Sequence, residues 1–149
     1  MEHLKECALF SVMYADDYDD RFQVADKWMD VPEKYLKNRD EFQDVDLDDP
    51  KAYGFAFRDE ASSVKQDSFE RPSSFILIFQ SDINARSAHS GLGSMPFSGR
   101  KDGKNKVAFV DMHVRALKAQ SEYGSLKPDW LTEDAKAGPR PHPAQKPKK

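Results

Sequence analysis

Five consecutive apolar residues, Phe75-Ile76-Leu77-Ile78-Phe79, do most to limit what this chain can fold into. The run is too short for an ordinary helix, is rich in aromatic and β-branched side chains, and is bounded by Pro72-Ser73-Ser74 and Gln80-Ser81-Asp82. It therefore reads as a strand, and its unbroken apolarity predicts a central strand covered on both faces. A strand of that kind needs neighbours in its sheet and a layer on each side. Tyr53-Gly54-Phe55-Ala56-Phe57 supplies one neighbour by alternation and aromatic content. Val107 to Val110 and His113 to Leu117 supply two more, and between them Asp111-Met112 has the spacing of a two-residue hairpin turn. Such a turn requires positive φ at Met112. A chain of 149 residues fits one domain with one core.

A helix is predicted over Glu2 to Ala15. Only Ser11 is polar between Cys7 and Tyr14, so the helix should be covered on most sides and not along one stripe alone. A sheet covers one side of a helix. The set Leu9, Phe10 and Met13 is therefore expected to be covered by later loops or to form an exposed contact patch. A second helix is expected over Asp26 to Leu36, with Asp26 as its N-cap, Trp28, Val31, Tyr35 and Leu36 on its apolar side, and Pro32 as a break. Trp28, Phe55, Phe57 and Phe109 read as core. A Gly/Ser-rich loop is expected from Ser87 to Gly103, and a last turn carrying Tyr123, Leu126, Trp130 and Leu131 onto the core. The globular domain should span residues 1–137. Gly138 to Lys149, with four prolines and four basic residues, should be a disordered tail. The order of elements makes the fold class α+β.

Charge and cysteine content exclude several functions. The net charge is −3 with both signs interspersed, so no electropositive face points to nucleic acid as a partner. Cys7, the single cysteine, has no internal disulfide partner. No stretch of 18 apolar residues occurs, and the start Met-Glu-His-Leu-Lys-Glu does not look like a signal peptide. Carboxylates at Asp16, Asp17, Asp19 and Asp20 have the chemistry to offer oxygens to calcium, but solvated acids after a helix end account for them equally simply. Asp44, Asp46 and Asp48 begin like a calcium-binding loop, yet Asp49 stands where its sharp turn needs glycine and Phe55 where it needs glutamate. His3, His89, His113 and His142 lack zinc-like spacing, and the serines at 62–63, 73–74 and 87–98 lie in no nucleophile pattern. Nothing in the chain assembles a catalytic constellation, so it reads as no enzyme, with no cofactor.

Several segments in order resemble one family. The stretch from His3-Leu4-Lys5-Glu6 through Met13-Tyr14-Ala15-Asp16-Asp17-Tyr18-Asp19 is similar to the helix start of planctomycete-type pilin-like proteins that carry an N-terminal methylation leader. Trp28, Tyr35-Leu36-Lys37-Asn38, and Arg71-Pro72-Ser73-Ser74 followed by Phe79 and Ser81-Asp82 match that family's middle. Arg100-Lys101-Asp102-Gly103 with Val107-Ala108-Phe109-Val110-Asp111-Met112-His113-Val114 resembles its C-terminal aspartate-glycine-histidine signature. Lys101 stands for the signature histidine, Met112 for its glycine and Gln43 for a cysteine, and the apolar first half of the pilin helix does not occur.

The resemblance implies a pilin-like head, an N-terminal helix on a small antiparallel sheet, related to type II secretion pseudopilins. It implies a structural or assembly role in protein secretion through protein–protein interaction with other pilin-like subunits or with itself. It further implies a periplasmic or cell-surface location, with membrane contact only through an upstream segment. Pseudopilins of this architecture often hold calcium in a C-terminal loop, here Asp82 to Asp111, although no ligand maps residue by residue. A calcium- or ligand-binding module that kept the head and lost polymerisation is the alternative. A hydrolase built on the Ser-rich loop is a further rival.

Overall fold

The computed structural model describes residues 2–30, 42–49 and 52–139. Helix α1 spans Glu2–Asp17. Strands β1 (Phe55–Arg58), β2 (Ile76–Gln80), β3 (His89–Ser90), β4 (Lys104–Phe109) and β5 (Val114–Lys118) form one sheet in the order β3-β1-β2-β4-β5. All neighbours are antiparallel except β1 and β3, which run parallel. Helix α2 spans Asp129–Ala137. The architecture is α+β.

The apolar run behaves as its composition requires. Every residue of β2 is buried and the strand lies third of five. Its register with β4 slips between Ile76↔Phe109 and Ile78↔Ala108, a bulge that lets consecutive residues face the same way. Leu77 and Ile78 consequently join the core beneath α1, while Ile76 and Phe79 join a second core on the opposite face. That second core contains Ala88, Met95, Val107, Phe109 and Leu117, with Ile83, Leu92 and Trp130 packed against it. The segment after β2 and the start of α2 thus provide the second layer.

Helix α1 lies across β2 and β4. Leu4, Cys7, Ala8, Ser11 and Ala15 are buried at helical spacing, and four of these five side chains are small enough to let the helix sit close to the sheet. Phe10 points away from the sheet to one side and is nevertheless 1% exposed. Its ring stacks on Trp28 at 6.3 Å and meets the edge of Phe42 at 5.7 Å. Trp28 stacks in turn on Phe57 of β1 at 6.1 Å and donates its indole N–H to the Ala88 carbonyl at 2.7 Å. Phe10 is therefore core: of the set Leu9, Phe10 and Met13 it is the member covered by later segments, and it is not part of an exposed contact patch. The reason is that the chain after α1 folds back along the helix flank and brings the aromatic residues Trp28 and Phe42 to it.

Two boundaries shift. The second helix is a 3-10 turn over Ala25–Asp30, distorted at Lys27 and starting before Asp26, which therefore does not cap it. Its expected continuation through Val31, Pro32, Tyr35 and Leu36 lies outside the described residues. The last turn is a nine-residue helix fastened by Asp134. Both Asp134 carboxylate oxygens accept from the Arg58 guanidinium at 2.6 and 2.9 Å, and one also accepts the Ile76 N–H at 2.8 Å. Leu126, expected to tuck inward, is 73% exposed. Contacts continue just past residue 137, where Glu70 N–H donates to the Gly138 carbonyl and Pro139 bridges Phe69. The rest of the expected tail, residues 140–149, lies outside the described residues.

The hairpin also differs in detail. Met112 has φ +78°, the positive value expected there, but the loop has three residues, Val110-Asp111-Met112. Met112 N–H donates to Phe109 O at 2.8 Å and Phe109 N–H to His113 O at 3.0 Å, the geometry of a tight turn followed by a left-handed residue. Val110 leaves the hairpin ladder because its N–H donates to Phe75 O at the start of β2. Left-handed backbone costs a residue with a Cβ about 1–2 kcal/mol, and Met112 recovers part of that by packing on the core. Met112→Ala keeps the strain and loses the packing, whereas Met112→Gly relieves the strain. Chemical denaturation should find the Gly variant more stable than the Ala variant by about 1 kcal/mol, and equal or reversed stabilities would contradict the left-handed assignment.

Candidate interaction surface and polar sites

Of the three residues singled out on α1, the structure leaves two outward. Leu9 is 39% and Met13 41% exposed, one turn apart on the side away from the sheet. Lys5, Asp16 and Asp17 are exposed on the same arc, so the two apolar side chains sit inside a charged rim. Phe10 is separated from them and faces Trp28. The stripe is continuous along the helix because residues i and i+4 stack on one face.

The acidic turn after α1 is organised by a partner 50 residues downstream. Gln66 Nε2 donates to Asp16 Oδ1 at 2.8 Å and to Asp20 Oδ1 at 2.6 Å, and Gln66 N–H donates to Asp20 O at 2.9 Å. Asp19 and Asp20 take positive φ to make this turn. These carboxylates serve to dock residues 62–66 against the end of α1.

Asp44 and Asp46 are likewise engaged. Asp44 is buried, accepts the Asp46 N–H at 2.9 Å, and pairs with the Arg100 guanidinium, which also donates to Ser81 O at 2.5 Å. The Gln80 amide is directed between the two carboxylates, and its Oε1 accepts the Lys106 N–H at 2.6 Å. Lys106 Nζ lies 2.8 Å from Asp46, and Lys101 places its ammonium 3.9 Å from it. Close by, His3 Nδ1 donates to Gln43 O at 2.8 Å, which ties the first turn of α1 to the same loop. This network converts an acidic loop into a clasp on the sheet. Arginine, lysine and glutamine occupy the carboxylate oxygens that a cation would otherwise take. Asp48 stays exposed and apart. Among the described residues no group of three or more His, Cys, Asp or Glu is placed to hold a metal ion.

The remaining site candidates do not converge. His89 pairs with Asp59 at 2.6 Å, and His113 pairs with Asp111 at 2.5 Å while its ring stacks on Phe109 at 4.2 Å. The Ser94 hydroxyl bonds to those of Ser81 and Ser90 at 2.7 and 2.6 Å, with no imidazole among those contacts. Among the described residues no helix is long and apolar enough to cross a membrane. The sequence reading missed Arg58–Asp134 and Asp44–Arg100, whose members lie 76 and 56 residues apart. The only local signals were an arginine ending an apolar strand and an aspartate in a run of aspartates. Compared with known proteins, the chain matches no family model, no curated protein and no solved structure.

The Asp46 carboxyl is held below its usual value. Burial alone pushes it up, but hydrogen bonds from Lys106 and Gln80 and the charges of Lys106 and Lys101 outweigh that. A carboxyl lowered in the folded state contributes stability that is present above its unfolded pKa of about 3.9 and is lost as pH falls through the folded value. Asp46→Asn should therefore be less stable than wild type at pH 7, with the gap closing as pH falls below about 4. Denaturation curves at pH 7, 5 and 3 check this, and a gap that persists unchanged at pH 3 would show that Asp46 does not act through its charge.

Proposed function

We propose that this chain is a structural, pilin-like subunit whose α1 outer face makes contacts with other subunits of a secretion or surface assembly. The observation that carries the reading is the stripe of Leu9 and Met13, exposed side by side on the longest element while every other side of α1 is committed to sheet or loops. The ordered resemblance from residue 3 to about 118 supports it, as does the placement of the helix across the sheet. On this reading the function is non-catalytic and lies outside the cytoplasm.

Area sets the strength of such contacts. A stable interface between two proteins buries about 1,200–2,000 Å² in total, and two half-exposed side chains provide a small part of that. Contacts through α1 are therefore weak singly and effective when repeated, because linking several of them makes later ones intramolecular. Sedimentation over a range of concentrations should show weak self-association of the full chain. The double variant Leu9→Ser, Met13→Ser should reduce it while shifting stability by less than about 1 kcal/mol, as expected for exposed positions. Association unchanged in the double variant would place any contact surface elsewhere and remove the main support for the reading.

A further inference from the structure

On the face of the sheet opposite α1, a groove of about 240 Å³ opens between the first turns of α2, the β4–β5 hairpin and the turn at Ser73 and Ser74. Its apolar wall is aromatic. Phe109 is 3% exposed and forms the floor, backed by the parallel ring of His113. Trp130 is half-buried beside it, packed against the second core, and its indole N–H donates to Lys118 O at 2.9 Å, which fixes the ring while its exposed part lines the groove. The rest of the lining is polar. Asp129 and Glu133 lie one turn apart on α2, and Arg115 projects from β5.

The charges decide what this groove accepts. The carboxylates of Asp129 and Glu133 are balanced by Arg115 and by Arg71, 3.4 Å from Glu133 just outside the lining, so the groove carries no net charge that would favour an anion or a cation. A purely apolar ligand would take these charged groups out of water with only one protein partner each for Asp129, from Tyr123, and Glu133, from Arg71. A neutral molecule with one apolar face and a ring of groups that both donate and accept hydrogen bonds meets all three conditions. We propose that the groove is a binding site for a neutral saccharide. One pyranose ring stacks its C–H face on Trp130, its hydroxyls donate to Asp129 and Glu133 and accept from Arg115, and the hydroxyls of Ser73 and Ser74 complete the rim. Aromatic lining with a few convergent polar groups is the general composition of small-ligand sites. The volume is below the usual range of about 300–1,000 Å³, so one or two sugar rings are covered and binding is weak. This site is independent of the α1 surface and stands or falls without it.

The full chain contains two tryptophans, and they make an internal control: Trp28 is fully buried, whereas Trp130 lines the groove. Cellotriose, mannotriose and the trimer of N-acetylglucosamine are titrated while the two indole N–H resonances are followed by NMR. At least one trisaccharide should shift the Trp130 signal saturably, with a Kd of about 0.1–10 mM, and leave Trp28 in place. Trp130→Ala should weaken binding at least about tenfold, and Arg115→Gln, at an exposed position that leaves the fold intact, about threefold or more. No saturable shift with any of the three sugars, or equal binding by both variants, would overturn the proposal. Inorganic phosphate and a Lys/Pro-rich peptide serve as anionic and cationic counter-probes, and tighter binding of either would equally overturn the assignment of a neutral ligand.

Discussion

Trp28 is the residue through which the parts of this fold are joined. Its ring lies between Phe10 of α1 and Phe57 of β1, Phe42 packs edge-on, and its N–H reaches Ala88 just before β3. One side chain thus links the helix, the 3-10 turn, two strands and the loop after residue 41. Aromatic pairs of this kind contribute about 0.5–1.5 kcal/mol each beyond the area they bury, and a buried indole N–H without an acceptor would cost about 1–3 kcal/mol. The cluster also decides which residues of α1 remain outside. Because Phe10 is drawn into it, the exposed arc of the helix narrows to Leu9 and Met13 and their charged neighbours.

Buried ion pairs complete the structure at the two ends of the sheet's cover. Arg58 and Asp134 hold α2 to the start of β2, and Asp44 with Arg100, Gln80 and Lys106 holds the acidic loop to the far end of β2 and to β4. In both, backbone groups of the sheet or the loop take part, so the charges are hydrogen-bonded and not merely neutralised. Such pairs add less net stability than their Coulomb attraction suggests, because both charges must leave water. Removing one partner is nevertheless costly, and this fixes α2 and the loop in single positions. Those positions in turn shape the two surfaces for which roles are proposed, the outer face of α1 and the groove beside Trp130.

What the sequence made legible was local. The apolar run of β2 announced a covered central strand, the pattern around Asp111-Met112 announced a hairpin with positive φ, and apolar spacing announced α1. Each of these is determined by residues within one element. The burial of Phe10 was not legible, because periodicity shows that a helix is apolar on several sides without showing which side meets the sheet and which meets a returning loop. The parallel strand β3 has two residues, too few for any pattern. The rest of the Ser87 to Gly103 segment is mostly irregular, as its glycine and serine content implies, with a 3-10 turn at Leu92–Ser94. The clasps at Asp134 and Asp44 and the groove at Trp130 depend on residues brought together from distant segments, and no spacing in the chain encodes them.

The central claim is that Phe10 and Trp28 form the junction of the fold, which leaves Leu9 and Met13 as the exposed apolar residues of α1 and the proposed contact face. Urea denaturation of Phe10→Ser measures this directly. The account predicts a loss of at least about 3 kcal/mol, the scale for deleting a large buried ring. A loss below about 1 kcal/mol, accompanied by weakened self-association in sedimentation, would return Phe10 to the surface and contradict the account.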